Sequence, residues 1–282
     1  MRITTAMGVS ILILTLNEER NIAACLESVK WSDDVVVLDS FSTDRTVEIA
    51  RSFGARVIQR KFDNWSSHQN WALKEIPFRN RWVYYSDADE IVPPELRDEL
   101  LGIAADTSLK PAAYRLRYKN FFCGRWIRHC GIYPVWVMRF FQPDKVRFER
   151  IVNPVAVVDG EEGRLANHFH HFSFNNGLQA WFEKHNRYSQ QEAVESLHSV
   201  RGARLDWGAL IGNAVARRRL LKELSFRLPC RPILRFVYMY LFRLGFLDGW
   251  QGYTYCRLLT IYEYMIVLKV IEIERREKGL SV

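Results

Sequence analysis

Four apolar, β-branched-rich runs, each followed by a segment with helical spacing, constrain this chain more than any other feature. Val9 to Leu16 is continuous and apolar, as a strand covered on both faces must be. Asn17-Glu18-Glu19 breaks it, and Ile22, Leu26 and Val29 then fall on one helical side. Val35 to Leu38 is a second such strand. The next helix carries Val47, Ile49, Ala50 and Phe53 and stops at Gly54. Ala55 to Gln59, a helix over Ser67 to Lys74, Trp82 to Tyr85 and a helix over Pro94 to Ala105 complete the series. Such alternation predicts an α/β fold, a mostly parallel doubly wound sheet.

In sheets of this kind ligands sit beyond the carboxyl ends of the strands. Those ends carry Thr15, Asn17 and Glu18, then Asp39 to Asp44, then Asp87 and Asp89. Asp87 and Asp89 are spaced i and i+2, so on an extended chain both point the same way. That spacing can aim two carboxylates at one hard divalent cation, Mg²⁺ or Mn²⁺, which takes oxygen ligands. The alternative is a helix cap ahead of Pro93-Pro94. Taken alone, Asp39 and Asp44 are turn and cap residues more often than not. No Gly-x-Gly-x-x-Gly or Gly-Lys-Ser/Thr follows the first strand, which excludes the usual glycine-rich phosphate loops. No Gly-x-Ser-x-Gly elbow exists for nucleophilic catalysis.

Ile-Leu-Thr-Leu-Asn-Glu-Glu, Val-Val-Val-Leu-Asp-Ser-Phe-Ser-Thr-Asp-Arg-Thr, Gln69-Asn70-Trp-Ala-Leu and Asp87-Ala-Asp-Glu together resemble the family 2 glycosyltransferases of GT-A fold. Within them, the chain is similar to the bacterial lipopolysaccharide-core β-glucosyltransferase subgroup. The motifs span residues 9 to 95, and a weaker likeness continues through Gly245 to Gly252. The resemblance implies inverting, metal-dependent transfer of a sugar from a nucleotide donor, UDP-linked, to a lipopolysaccharide-core or other lipid-linked saccharide. It implies that Thr15, Asn17 and Glu18 edge the nucleotide pocket and that Asp39 takes the base or ribose, with Asp44 nearby. It gives Gln69 and Asn70 a donor-facing place, and makes Asp87 and Asp89 the metal pair. Phe41 stands where the family usually has Gly, whose backbone freedom Phe lacks. A remodelled loop is expected there.

Inverting displacement needs a base for the acceptor hydroxyl. Glu149, in Val146-Arg-Phe-Glu-Arg-Ile151, is the candidate; otherwise it is a surface carboxylate paired with Arg147 or Arg150. Asp144 and Asp159 read more naturally as turn residues. In Asn167-His-Phe-His-His171, His171 matches the family's His before an aromatic-Ser-aromatic segment and is a candidate ligand of the metal or diphosphate. The alternative is a strand whose imidazoles simply pack. No Cys or His pair flanks the cluster at zinc-site spacing.

From Arg201 to Arg243 the chain holds ten Lys or Arg and two acids, while the whole chain is +8, so the remainder is neutral overall. Arg217, Arg218, Arg219 and Lys222 lie among leucines, and Ile233 to Leu247 is rich in aromatics. This predicts a basic amphipathic helical extension over 176–282, beyond a catalytic domain over 1–175, facing an acidic acceptor or an anionic membrane. Arg115, Arg117, Lys119, Arg125 and Arg128, with no acid between them, extend that surface. Leu258 to Ile273 is interrupted by Glu263, Lys269 and Glu272, so it lies on a bilayer at most. Five cysteines without Cys-x-x-Cys suggest reduced thiols, and no secretory signal is evident. The expected location is the cytoplasm, peripheral on the inner face of the bacterial cell membrane. Nucleic-acid binding, suggested by the basic pI, leaves the carboxylates at three strand ends unexplained and is not expected. A nucleotidyltransferase on the same sheet is distinguished by releasing diphosphate; an inactive scaffold is disfavoured by the intact Asp87 and Asp89.

Overall fold

A computed structural model describes residues 8–131, 133–150, 154–202 and 230–282. The cluster Arg217, Arg218, Arg219 and Lys222 lies outside the described residues. The chain divides into two compact units: Met1–Gly124 with Ile132–Asn176, and Arg125–Gly131 with Gly177–Val282.

In the first unit the elements run β1 (Val9–Thr15), α1 (Ile22–Val29), β2 (Val35–Asp39), α2 (Thr46–Ser52), β3 (Arg56–Gln59), α3 (Trp65–Glu75), β4 (Trp82–Asp87), β5 (Glu90–Ile91), α4 (Pro94–Ala105) and β6 (Ala113–Phe122). After β7 (Arg125–Trp126), which belongs to the second unit, come β8 (Trp136–Phe141), β9 (Val146–Glu149), β10 (Val155–Val158) and β11 (Glu162–His171). All seven residues of β1 are buried, which its unbroken apolar sequence requires. The main sheet has the order β3-β2-β1-β4-β8-β6-β11-β5. β3, β2, β1 and β4 are parallel to one another, β8 runs antiparallel to both β4 and β6, and β11 is parallel to β6. The order reverses between β1 and β4, which opens a crevice at their carboxyl ends. β9 and β10 form a separate hairpin.

Two apolar layers cover the sheet. Ile11, Ile13, Val37, Tyr84, Leu116 and Phe140 pack on the side of Ile22, Leu26, Leu96 and Leu100 from α1 and α4. Leu12, Val36, Val83, Met138 and Phe141 pack on the other side, against Ala72 of α3 and Phe148 of β9. At the amino ends of the strands, buried Asp34 accepts from Ser10 Oγ (2.5 Å), the Arg79 amide (2.8 Å) and the Arg56 guanidinium (2.8 Å). Burial works to raise this carboxyl's pKa, but these bonds outweigh it and hold it below the ordinary value.

The second unit holds α5 (Gly177–Gly202), a helix Arg231–Val237, a π-turn Tyr238–Phe242, a 3₁₀ turn Gly245–Asp248 and a long helix Gly249–Glu277. The Gly245-to-Gly252 motif is a folded knuckle. A Cβ on Gly252 would stand 2.3 Å from the Gly245 carbonyl oxygen, so only glycine fits. Asp248 there accepts from the amides of His129 (2.8 Å) and Cys130 (3.0 Å) and from His129 Nδ1 (2.9 Å). Arg231 and Arg235, counted in the basic surplus, both pair with buried Glu263, at 2.7 and 2.5 Å. Arg201 pairs with Glu277 at 2.5 Å. Among the described residues, no helix is long and apolar enough to cross a membrane.

Candidate active site

The loops after β1 and β2 are laced into one structure. Asn17, at φ +56°, accepts from the Thr43 amide (2.8 Å) and donates its own amide to Ser42 Oγ (2.8 Å). The Glu18 amide donates to Thr46 Oγ1 (2.8 Å) and the Glu19 amide to Asp44 Oδ2 (3.1 Å). Glu18 Oε2 accepts from Asn21 (2.6 Å) and Asn176 (3.0 Å). Asp44 also accepts from the Thr46 amide and hydroxyl, at 3.0 and 2.5 Å. Burial alone would raise its pKa; these bonds lower it instead. Asp39 is fully buried, and its carboxylate takes the Ser42 amide (3.0 Å), the Ser42 hydroxyl and the Gln59 amide (2.9 Å). Phe41 is half exposed and sits at φ +64°, so the backbone keeps a glycine-type path and the expected remodelling is absent at this angle.

The segment after β4 is organised differently. Gln69 Nε2 donates to Tyr85 Oη (3.2 Å), which donates to Asp87 Oδ1 (3.1 Å). Arg139 donates to Asp87 Oδ2 and to Glu90 Oε1, both at 2.5 Å, and its guanidinium carbon stands 4.3 Å from the Tyr85 ring centroid. Glu90 Oε2 accepts from the Asp87 amide (3.1 Å) and Ser86 Oγ (3.3 Å). Burial pushes the Glu90 carboxyl up to about 8, against the opposing pull of Arg139. His171, on β11 opposite Glu90 of β5, lies with Nε2 3.3 Å from Asp89 Oδ2. Burial favours its neutral form, but the hydrogen bond to Asp89 and the surrounding carboxylates raise its pKa.

Arg139 owes its aim to a register shift. Arg115 pairs with Met138 and Tyr114 with Phe140, so Arg139 is the extra residue of β8 at that step. Bulges of this kind re-aim a side chain near functional sites. Sequence reasoning passed over it, although a lone cation in the apolar run Trp136 to Phe141 is itself a signal, because a buried charge needs partners.

Not every candidate joins this cluster. Asn70 spends both ends of its amide on the backbone of Phe148, at 2.8 and 2.7 Å, clasping α3 to β9. Glu149, next along β9, is exposed and bonded to Arg147 at 3.1 Å. Thr15 and Gln69 are buried, and Thr15 Oγ1 and Gln69 Oε1 have no protein partner.

Among the described residues, no three His, Cys, Asp or Glu side chains gather as a ready cage for a metal. Asp89 and His171 do offer a carboxylate and an imidazole side by side, whereas Asp87 is engaged by Arg139. That donor set fits a divalent cation completed by oxygens from outside the protein.

Residues 10–159 match the sequence model of the family described as Glycosyl transferase family 2. A Rickettsia typhi protein, uncharacterized glycosyltransferase RT0209, is 42% identical over 98 residues, 34% of this chain and 33% of its own length. The lipopolysaccharide core biosynthesis glycosyltransferase LpsC of Rhizobium meliloti is 28% identical over 104 residues, 35% of this chain and 38% of its own. Among solved structures, glucosyl-3-phosphoglycerate synthase from Mycobacterium tuberculosis, in complex with Mn²⁺, UDP and glucosyl-3-phosphoglycerate, is 25% identical. It covers 40% of this chain and 44% of that one, with a TM-score of 0.34. The chain spans about a third of the length of the first curated relatives it matches. With the family's pattern running from β1 to the residue after β10, over more than half of its residues, the chain belongs to glycosyl transferase family 2.

Proposed function

We propose that the chain is an inverting, metal-dependent glycosyltransferase that moves a sugar from a nucleotide diphosphate, UDP, to a lipopolysaccharide-core or other lipid-linked saccharide. One observation carries this reading: at the carboxyl end of β4, Asp87 and Glu90 bond to Arg139, and Asp89 bonds to His171, whose imidazole is cationic when protonated. Such a site can exchange a protein cation for an external one without exposing an uncompensated charge.

Asp89 and His171 would hold Mg²⁺ or Mn²⁺, whose chemistry when bound is to neutralise charge on the departing diphosphate. The buried, unpartnered Thr15 Oγ1 and Gln69 Oε1 are polar atoms suited to the donor at the same strand ends. Asn17, Glu18, Asp39 and Asp44 act by fixing the loops around it. Asp87 reaches donor or cation only by releasing Arg139. Glu149 takes the acceptor proton, on a strand that Asn70 holds through Phe148.

A peripheral station on the inner face of an anionic membrane completes the reading. Ile233, Tyr238, Leu241, Phe242 and Trp250 are each more than half exposed, an apolar surface of the kind that enters a lipid interface. The test is a panel of nucleotide sugars screened for thermal stabilisation with and without Mn²⁺, followed by product analysis on the best donor. Metal-dependent stabilisation by one UDP-sugar and release of free UDP are expected. Diphosphate release, or no response to any donor, refutes the reading.

A further inference from the structure

The dense imidazole run of β11 divides between two faces, and only one face belongs to the site above. His171 pairs with Asn120 and reaches Asp89, whereas His168 pairs across the sheet with Arg117, and His170 with Lys119. Arg117 in turn pairs with Trp136 of β8. Side chains paired directly across neighbouring strands share a face. One face of β8, β6 and β11 therefore collects Trp136, Arg117, Lys119, Arg164, His168 and His170.

The apolar layer on this side ends at Met138, so beyond it the face is polar and half-exposed instead of core. The guanidinium carbons of Arg117 and Arg164 each lie 5.0 Å from the Trp136 ring centroid. His168 and His170 stack at 6.1 Å, and His170 meets the Phe121 ring at 5.0 Å. Among the described residues, the acids nearby are few. Glu162 is taken by Arg115 at 2.7 Å, and Glu95 of α4 acts weakly on the two imidazoles. Burial first, and then Lys119, His170 and Arg117, press the His168 imidazole down to about 4.

Arg117, which also donates to the Ala166 carbonyl, and Arg164 bring two guanidiniums to one indole, and an anion on this face would offset their positive charge. Their half-burial favours a compact anion that enters among the side chains over a flat bilayer or an extended nucleic acid strand. We infer that this cationic, aromatic face binds a phosphate or comparable anionic group carried on a saccharide, the kind of group a charged acceptor of the transferase would bring. The inference rests on the transferase reading for its role, but the binding itself is tested apart from it.

Glucose 6-phosphate, glucose and phosphatidylglycerol vesicles are titrated against the full chain held with UDP and Mn²⁺. Saturable binding of glucose 6-phosphate, weakened by salt and absent for glucose, is expected. Lys119→Gln with Arg164→Gln weakens it about tenfold or more, equal to a loss of about 1.4 kcal/mol per tenfold. An unchanged melting temperature shows that the double variant folds, and single Lys119→Gln serves if it does not. Three results overturn the inference: no binding of glucose 6-phosphate, binding that the variants leave intact, or variants that lose only vesicle binding. Failure of UDP with Mn²⁺ to stabilise the wild type sinks the transferase reading instead, and leaves a result at this face standing.

Discussion

The two ends of the same sheet use the same chemistry to opposite effect. At the amino ends, Asp34 is a buried carboxylate tied by a hydroxyl, a backbone amide and an arginine, each bond made by a group fixed in the fold. At the carboxyl ends, Asp87 and Glu90 share a single guanidinium, Asp89 leans on an imidazole, and Arg139 Nε, Thr15 Oγ1 and Gln69 Oε1 remain buried without partners. The Asp34 carboxylate itself is saturated and can only anchor, although Asn80 Oδ1 in the same cluster is also buried without a partner. The second arrangement leaves several buried polar atoms without partners around acids that share their cation, which suits a site that takes a polar ligand. A buried acid with an arginine beside it thus says little until the remaining donors and acceptors are counted.

The sharpest contrast comes from exchanging one acid at each end. Asp89→Ala should lower transfer about a thousandfold, or about 4 kcal/mol of transition-state stabilisation, with the melting temperature nearly unchanged. Asp34→Ala should do the reverse, costing about 3–5 kcal/mol of stability by stranding Arg56 while the folded fraction keeps its turnover. Urea unfolding and initial rates on both variants decide it; equal effects at both ends would erase the distinction.

Arg139→Met comes next, with about 3 kcal/mol of stability lost because Glu90 and Asp87 lose their shared cation. Adding Glu90→Gln should return part of that loss, and a double-mutant cycle measures the coupling. Additive losses would mean that the pair does not interact as described.

The anchor end also has a pH signature. Because the Asp34 pKa is lowered in the folded state, its contribution is full above the unfolded value near 3.8. It fades as pH falls through the lower folded value. The stability gap between wild type and Asp34→Asn should therefore be constant at neutral pH and narrow only in strong acid. Narrowing near pH 6 would contradict the bonding assigned to it.

The smallest effect belongs to Phe41. Relief of its left-handed backbone by Phe41→Gly should stabilise the fold by about 0.5–1 kcal/mol, net of the added freedom of the unfolded chain. A loss of stability would show that the ring contributes more than the strain costs.

The parallel half of the sheet was legible because each strand is a local apolar run, and the helix Pro94–Ala105 ends where its spacing does. The i, i+2 spacing of Asp87 and Asp89 aligns them only on an extended chain, whereas β4 ends at Asp87 and Asp89 lies in the turn that follows, with Arg139 and His171 as their separate partners. What escaped was non-local. No periodicity tells that β8 carries an extra residue opposite β6, so Arg139 went unremarked. Alternation separates His170 from His171 and the family resemblance singles out His171, but its place beside Asp89 comes from the pairing of β11 with β5. Asn70 has the composition of a ligand contact and the geometry of a clasp, a difference visible only once Phe148 is found 78 residues away.

The central claim is that Asp89 and His171 grip the cation while Arg139 keeps Asp87. Titration of Mn²⁺ followed by electron paramagnetic resonance, in the presence of UDP, tests it without any acceptor. Wild type should immobilise the ion, Asp89→Asn should lose that binding, His171→Gln should weaken it about tenfold or more, and Arg139→Lys should retain it. Tight Mn²⁺ binding that survives Asp89→Asn would contradict the account.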